Sequence, residues 1–158
     1  MTSSREKEQP RADLATSRMP LTVRFCETDL MGIVHHANYL VYFEAGRVDW
    51  LRRRGVRYED WVAMDVHLPV VETKLKYRKA AKFDESLVVE TICAHATAVT
   101  VLFKYRILRD AEVLCEGETL LACIGINMRP KRFPKDVAAV FFRGELEKIQ
   151  PPSGTPAS

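Results

Sequence analysis

One stretch of this chain, Ala37 to Arg54, carries a strong helical period, and most of the chain beyond it is written in strands. Its apolar positions Tyr39, Phe43, Gly46 and Trp50 fall at offsets of four, three and four, which is one face of a helix. Gly55 comes after the cluster Arg52-Arg53-Arg54, and a glycine after basic last-turn residues suits a helix C-terminus. A first strand is predicted over residues 20–26, alternating around Leu21, Val23 and Phe25. Further strands are predicted over 70–77, 87–94 and 99–108, and a long apolar run over 113–128 holds Gly117 and Gly125, read as bulges in a curved strand. A short helix is expected around Glu59–Met64. Pro130 and Pro134 end the last strand before a closing helix, Val137–Ile149. One long helix with about five strands predicts an α+β architecture in which a curved antiparallel sheet covers the helix. Its open edges favour pairing across a dimer.

With 158 residues, 47% of them hydrophobic, the chain is sized for one domain with a real core. That domain is expected over 19–149, between a polar, disordered tail at 1–18 and a flexible Pro/Ser/Gly/Thr-rich tail at 150–158. A net charge of +3 permits a phosphate-bearing ligand but lacks the concentrated basic face that nucleic acid calls for. No apolar run approaches the ~18–20 residues of a membrane span, and the N-terminus lacks the apolar centre of a signal peptide, so a cytoplasmic protein is expected. Cys26, Cys93, Cys115 and Cys123 show no close spacing of the kind that builds a zinc site or disulfide framework, and three lie in strand-like runs that suit buried reduced thiols.

The chemistry concentrates in residues 24–47. There the pattern passes from a strand, through a turn holding Asp29, into the polar start of the helix. The first N–H groups of a helix have no internal acceptors and face the positive end of its dipole, so an acid and an oxyanion stabiliser can come from about ten neighbouring residues. A carboxylate can attack an acyl carbonyl or act as general base on water. Gly32 lets the turn approach a substrate closely. His35 and His36 are adjacent, so their side chains diverge and chelate one ion poorly; no metal site is expected. Asn38 reads as the helix cap, and Glu44 with Arg47 as an i,i+3 pair. No Gly-x-Ser-x-Gly elbow is present.

The run Phe25-x-Glu27-Thr28-Asp29-x-x-Gly32-Ile33-Val34-His35-His36-Ala37-Asn38-Tyr39, with Phe43-Glu44-x-x-Arg47, resembles the hot-dog-fold acyl-CoA thioesterases. The nearest groups are the 4-hydroxybenzoyl-CoA type and the thioesterases associated with the Tol-Pal system. The resemblance spans roughly residues 20–135. It implies a homodimer or homotetramer with sites at the subunit interface, and hydrolysis of a thioester on coenzyme A or acyl carrier protein without a cofactor. The family's catalytic acid matches Asp29 and its backbone oxyanion donor matches the N–H of His36. By the same resemblance Gly32, Val34, His35, Asn38 and Tyr39 contact substrate, and Glu44 is a reserve carboxylate. Lys79, Lys82, Arg129, Lys131 and Arg132 are candidates for the phosphates of coenzyme A by composition, and Trp61, Met64 and Tyr77 for the acyl tunnel. Residues 95–99 lack the basic cluster that some members use for the nucleotide. The alternatives are a carrier-protein thioesterase releasing a fatty or polyketide chain, and a non-catalytic acyl-binding hot-dog domain.

Overall fold

A computed structural model describes residues 16–149, with side chains described as far as Phe142. Five strands form one antiparallel sheet in the order β1-β3-β4-β5-β2: β1 (Thr16–Thr22), β2 (Val70–Tyr77), β3 (Ser86–Ala96), β4 (Thr100–Arg109) and β5 (Glu112–Ala122). Three helices accompany them: α1 (Asn38–Arg53), α2 (Tyr58–Ala63) and α3 (Lys135–Ile149). The expected architecture, one long helix wrapped by a curved sheet, is what the chain forms.

The helical period does its work in α1. Tyr39, Phe43, Gly46 and Trp50 are all buried, joined by Tyr42 and Leu51. Phe43 stacks on Tyr105 of β4 at 4.4 Å between ring centres. Trp50 meets Phe103 edge-on and Phe141 of α3 in a stack. At the far end Gly55 takes φ +77°, a left-handed conformation that glycine adopts without strain, and its N–H closes on the Arg52 carbonyl. Arg54 lies over the Trp50 ring at 3.6 Å and donates to Ser17 Oγ of β1, which pins the helix end to the sheet edge.

Several boundaries differ from the sequence reading. The first strand is Thr16–Thr22, so residues 16–18 belong to the sheet; the rest of the two expected tails lies outside the described residues. Pro20 sits inside β1 because an edge strand tolerates a residue without an N–H. Residues 25–27 leave the strand as a single 3₁₀ turn, because the Glu27 carboxylate reaches back to the Arg24 N–H at 2.7 Å. The apolar run 113–128 is not one strand: β5 ends at Ala122, and beyond it the chain makes a tight turn in which Met128 N–H donates to the Gly125 carbonyl. Gly117 is no bulge, since its pairing with Leu75 and Tyr105 is unbroken. A Cβ there would collide with the Phe43 ring and stand 2.7 Å from the Lys74 carbonyl oxygen. Gly46 is equally constrained, with Thr91 Oγ1 and Val89 Cγ1 both 2.6 Å from an added Cβ. The two glycines set how closely the helix lies on the sheet.

Gly117→Ala should cost about 1–3 kcal/mol through overpacking against backbone. At roughly 2–4 °C per kcal/mol for a chain of this size, Tm falls by several degrees, read by differential scanning calorimetry.

Candidate active site

The turn that carries Asp29 is a tight reversal closed by its own backbone. Asp29 N–H donates to the Ile33 carbonyl at 2.9 Å and Gly32 N–H returns to the Asp29 carbonyl at 3.0 Å. Gly32 holds φ +77°, with nothing within 4 Å of where a Cβ would stand. It is needed for its backbone conformation. Asp29 Oδ1 accepts from the Met31 N–H at 2.8 Å, an Asx turn that fixes the carboxylate plane. Its second oxygen has no hydrogen bond among the described residues. The reversal is tied to the β2–β3 connection by Val34 N–H to the Ala81 carbonyl and by bridging of Ile33 to Lys82.

The helix start is almost completely satisfied. His35 N–H donates to the Glu27 carbonyl, Ala37 N–H to His35 Nδ1 at 3.2 Å, and Asn38 N–H to the His35 carbonyl. The N–H of His36, between them, has no acceptor among the described residues. No acidic side chain occupies the first turn of α1, so the positive end of its dipole is uncompensated there. From β2, the Tyr77 hydroxyl donates to the His36 carbonyl at 3.1 Å and holds that peptide unit in place.

Asp29 and His36 line one open cavity of about 320 Å³, together with Ile33, Val34, Tyr39, Tyr77 and residues 78–80. Partial burial raises the phenol pKa of both Tyr39 and Tyr77, which keeps them as neutral walls and hydrogen-bond donors. A larger hollow of about 480 Å³ lies elsewhere on the sheet. Its carboxylates Glu90, Glu116 and Glu118 face Arg106, Arg78 and Lys74 in ion pairs, and it contains no acid beside a helix start. Thiol chemistry is not available beside the Asp29 cavity either. Cys115, opposite Tyr77 in the sheet, is buried and its thiol is pushed up to about 12 by burial and the Glu116 charge.

Of the residues singled out in the sequence, Asp29, Val34, His36, Tyr39 and Lys79 line the cavity. Gly32 shapes the turn beside it. His35 caps the helix approach through Nδ1. Asn38 is the first helical residue and not the cap, because its side-chain amide is drawn to the Glu27 carbonyl at 2.8 Å. Glu44 is exposed on α1 and does not pair with Arg47, which reaches into the interior to donate to the Tyr105 hydroxyl. Lys79 is paired with Glu112 across 2.6 Å. Lys82, Arg129 and Arg132 are exposed away from the cavity lining, and Lys131 is committed to the Met64 and Asp65 carbonyls at the end of α2. Of the tunnel candidates only Tyr77 lines the cavity; Trp61 packs on Phe141, and Met64 is exposed. The sequence alone assigns no role to Tyr42 and makes Glu27 only one letter of a motif. The helical period marks Tyr42 only as a face residue, and nothing in the pattern around Glu27 signals that the two meet.

Comparison with known proteins settles the family. Residues 23–141 match the model of the thioesterase-like superfamily. The chain belongs to that superfamily. Acyl-CoA thioesterase YbgC of Haemophilus influenzae is 35% identical over 124 residues, 77% of this chain and 91% of that one. A Thermus thermophilus protein of solved structure superposes with a TM-score of 0.75 at 41% identity, over 79% of this chain and 96% of its own. The DHNA-CoA thioesterase of Staphylococcus aureus superposes with a TM-score of 0.79 at 26% identity, over 85% and 93%. The helix and wrapping sheet are thus the hot-dog fold of this superfamily. Among the described residues no group of three or more His, Cys, Asp or Glu is placed to hold a metal ion, and no helix is long and apolar enough to cross a membrane.

At about pH 8, where only a thiolate alkylates readily, iodoacetamide should modify exposed Cys26 first and leave Cys115 intact until denaturant is added. Peptide mass spectrometry reads the order.

Proposed function

We infer that the chain is an acyl-CoA thioesterase whose chemistry runs between the Asp29 carboxylate and the N–H of His36. The observation that carries this reading is the one unfilled N–H at an otherwise satisfied helix start, on a residue that shares its cavity with an acid having one free oxygen. A thioester carbonyl seated there accepts from the His36 N–H, and the uncompensated helix dipole stabilises the charge that develops on its oxygen. Asp29 either takes the proton of an attacking water or attacks the carbonyl itself to give a mixed anhydride that a water then hydrolyses, restoring the carboxylate. In both routes the C–S bond breaks, the thiolate of coenzyme A leaves, and the proton from water passes to that thiolate or to solvent. The Asx turn holds the Asp29 carboxylate to one orientation throughout. In this reading Val34, Tyr39 and Tyr77 form the wall for the acyl group, and a phosphate would draw Lys79 or Arg78, which also line the cavity, away from their carboxylate partners Glu112 and Glu116.

A homodimer completes this site in the same reading. Strand β2 is an edge of the sheet, with Val70, Val71 and Tyr77 exposed, and the chain runs directly from it into residues 78–80 of the cavity. A second copy adding its own edge there would satisfy the open ladder and wall the cavity. Cys26, Cys115 and Cys123, which carry no disulfide, fit the reducing cytoplasm in which such substrates would be met.

Two substitutions separate the acid from the backbone donor. Asp29→Ala should lower kcat/KM on acyl-CoA by at least ~10²-fold, whereas His36→Ala, which keeps the N–H, should lose less than about tenfold. Near-wild-type turnover by Asp29→Ala would refute the assignment. The same acyl group presented on coenzyme A and on carrier protein should favour coenzyme A by more than about tenfold, equivalent to roughly 1.4 kcal/mol. Light scattering on the purified chain should give twice the monomer mass or a multiple of it.

A further inference from the structure

Glu27 is a buried carboxylate that the chemistry of Asp29 and His36 does not use. It is 6% exposed, yet four donors converge on its two oxygens. Oε1 accepts the Arg24 N–H at 2.7 Å and the Tyr42 hydroxyl at 3.1 Å, and Oε2 accepts Arg24 Nε and Nη2 at 3.3 Å each. Its backbone carbonyl accepts two more, from His35 N–H at 2.9 Å and from the Asn38 side-chain amide at 2.8 Å. Those last two donors flank His36. Glu27 itself stands two residues before Asp29 along the chain. One residue therefore ties the turn carrying the acid to both sides of the peptide carrying the oxyanion donor, and Tyr42 on α1 anchors that residue to the helix.

We propose that Glu27, held by Tyr42, is a positioning residue for thioester hydrolysis that fixes the separation between the Asp29 carboxylate and the His36 N–H. This rests on the assignment of those two groups to the reaction. Burying a carboxylate is costly, and its ion-pair partner Arg24 is 71% exposed at the side chain, so the pair adds little stability by itself. What the carboxylate supplies is geometry: every group facing it is a donor, which only an acceptor on both oxygens satisfies. Burial and the Glu27 charge both raise the Tyr42 phenol pKa, so the hydroxyl keeps its proton and the anchor persists across the working pH range. A shift of the two arms by a fraction of an ångström acts on the transition state far more than on substrate binding, because misplacement by about 1 Å can cost ~10²-fold in rate.

The test is steady-state kinetics of the full chain on an acyl-CoA, with Tyr42→Phe, Glu27→Gln and the double variant, each with its Tm. Tyr42→Phe removes one hydroxyl and keeps the ring against Tyr39. Glu27→Gln turns one of the two acceptors into a donor. A fall in kcat of about fivefold or more in both single variants, with KM within about threefold and the double variant no worse than the poorer single, supports the proposal. A smaller fall in either, a loss carried by KM, or losses that multiply in the double variant overturns it. Should Glu27→Gln not fold, the kcat of Tyr42→Phe decides alone. Asp29→Asn is measured alongside: if it is inactive while Tyr42→Phe is unimpaired, only the positioning role fails, and if it is fully active, both readings fail.

Discussion

The close seating of α1 on the sheet is the contact on which the rest of this structure depends. Gly46 on the helix faces Val89 and Thr91 of β3, and Gly117 on β5 receives the Phe43 ring; at both places a single Cβ would be too much. Phe43 can then stack flat on Tyr105, and Arg47 can reach the Tyr105 hydroxyl, which also hydrogen-bonds Thr119 at 2.6 Å. Fully burying a side chain of Phe43's size contributes about 1.5–3 kcal/mol. The larger consequence is geometric. With its middle fixed so closely, the helix has little freedom at its N-terminus, and the peptide units of residues 35–38 inherit that rigidity.

A rigid helix start becomes a reaction site only when an acid is held beside it. The chain does this with a reversal of a few residues, whose backbone bonds close it from Thr28 to Val34 and whose Gly32 takes a conformation other residues resist. The reversal is fastened on one flank to Ala81 and Lys82 and on the other to the helix through Glu27. The candidate site residues thus sit on short, over-determined segments between regular elements, where precision comes from hydrogen bonds and the hydrophobic core acts only through α1.

These two levels explain what the sequence disclosed. The helix was legible because its apolar spacing is a direct projection of burial: Tyr39, Phe43, Gly46 and Trp50 read as one face and are one face. The strands were legible in kind but not in extent, since Thr16–Arg18 gain their pairing from β3, far along the chain, and the run after Ala122 turns away although its composition is unchanged. Asp29 and His36 were readable as neighbours because turn and helix are contiguous in sequence. Of the candidate cations only Lys79 lines the cavity, and the rest were not readable because their positions depend on long-range partners, as where Lys131 reaches the Asp65 carbonyl. Glu27 stayed invisible for the same reason, its value lying in the distance it spans to Tyr42 and Asn38.

The choice of groups at the helix start has an electrostatic logic of its own. Helices are usually capped by Ser, Thr, Asp or Asn, whose side-chain oxygen fills one of the first free N–H groups. An acid capping α1 would both compete for these N–H groups and place a negative charge where, in the proposed mechanism, the thioester oxygen becomes negative. Here the neighbouring donors are filled instead by the His35 ring nitrogen, by the His35 carbonyl and by the Glu27 carbonyl. Glu27 does carry a charge, but Arg24 and the Tyr42 hydroxyl surround it, and it presents only its neutral carbonyl to the helix start. Filling the flanking donors with uncharged acceptors leaves the His36 N–H both free and at the full positive end of the dipole, the condition under which one backbone donor can stabilise an oxyanion well.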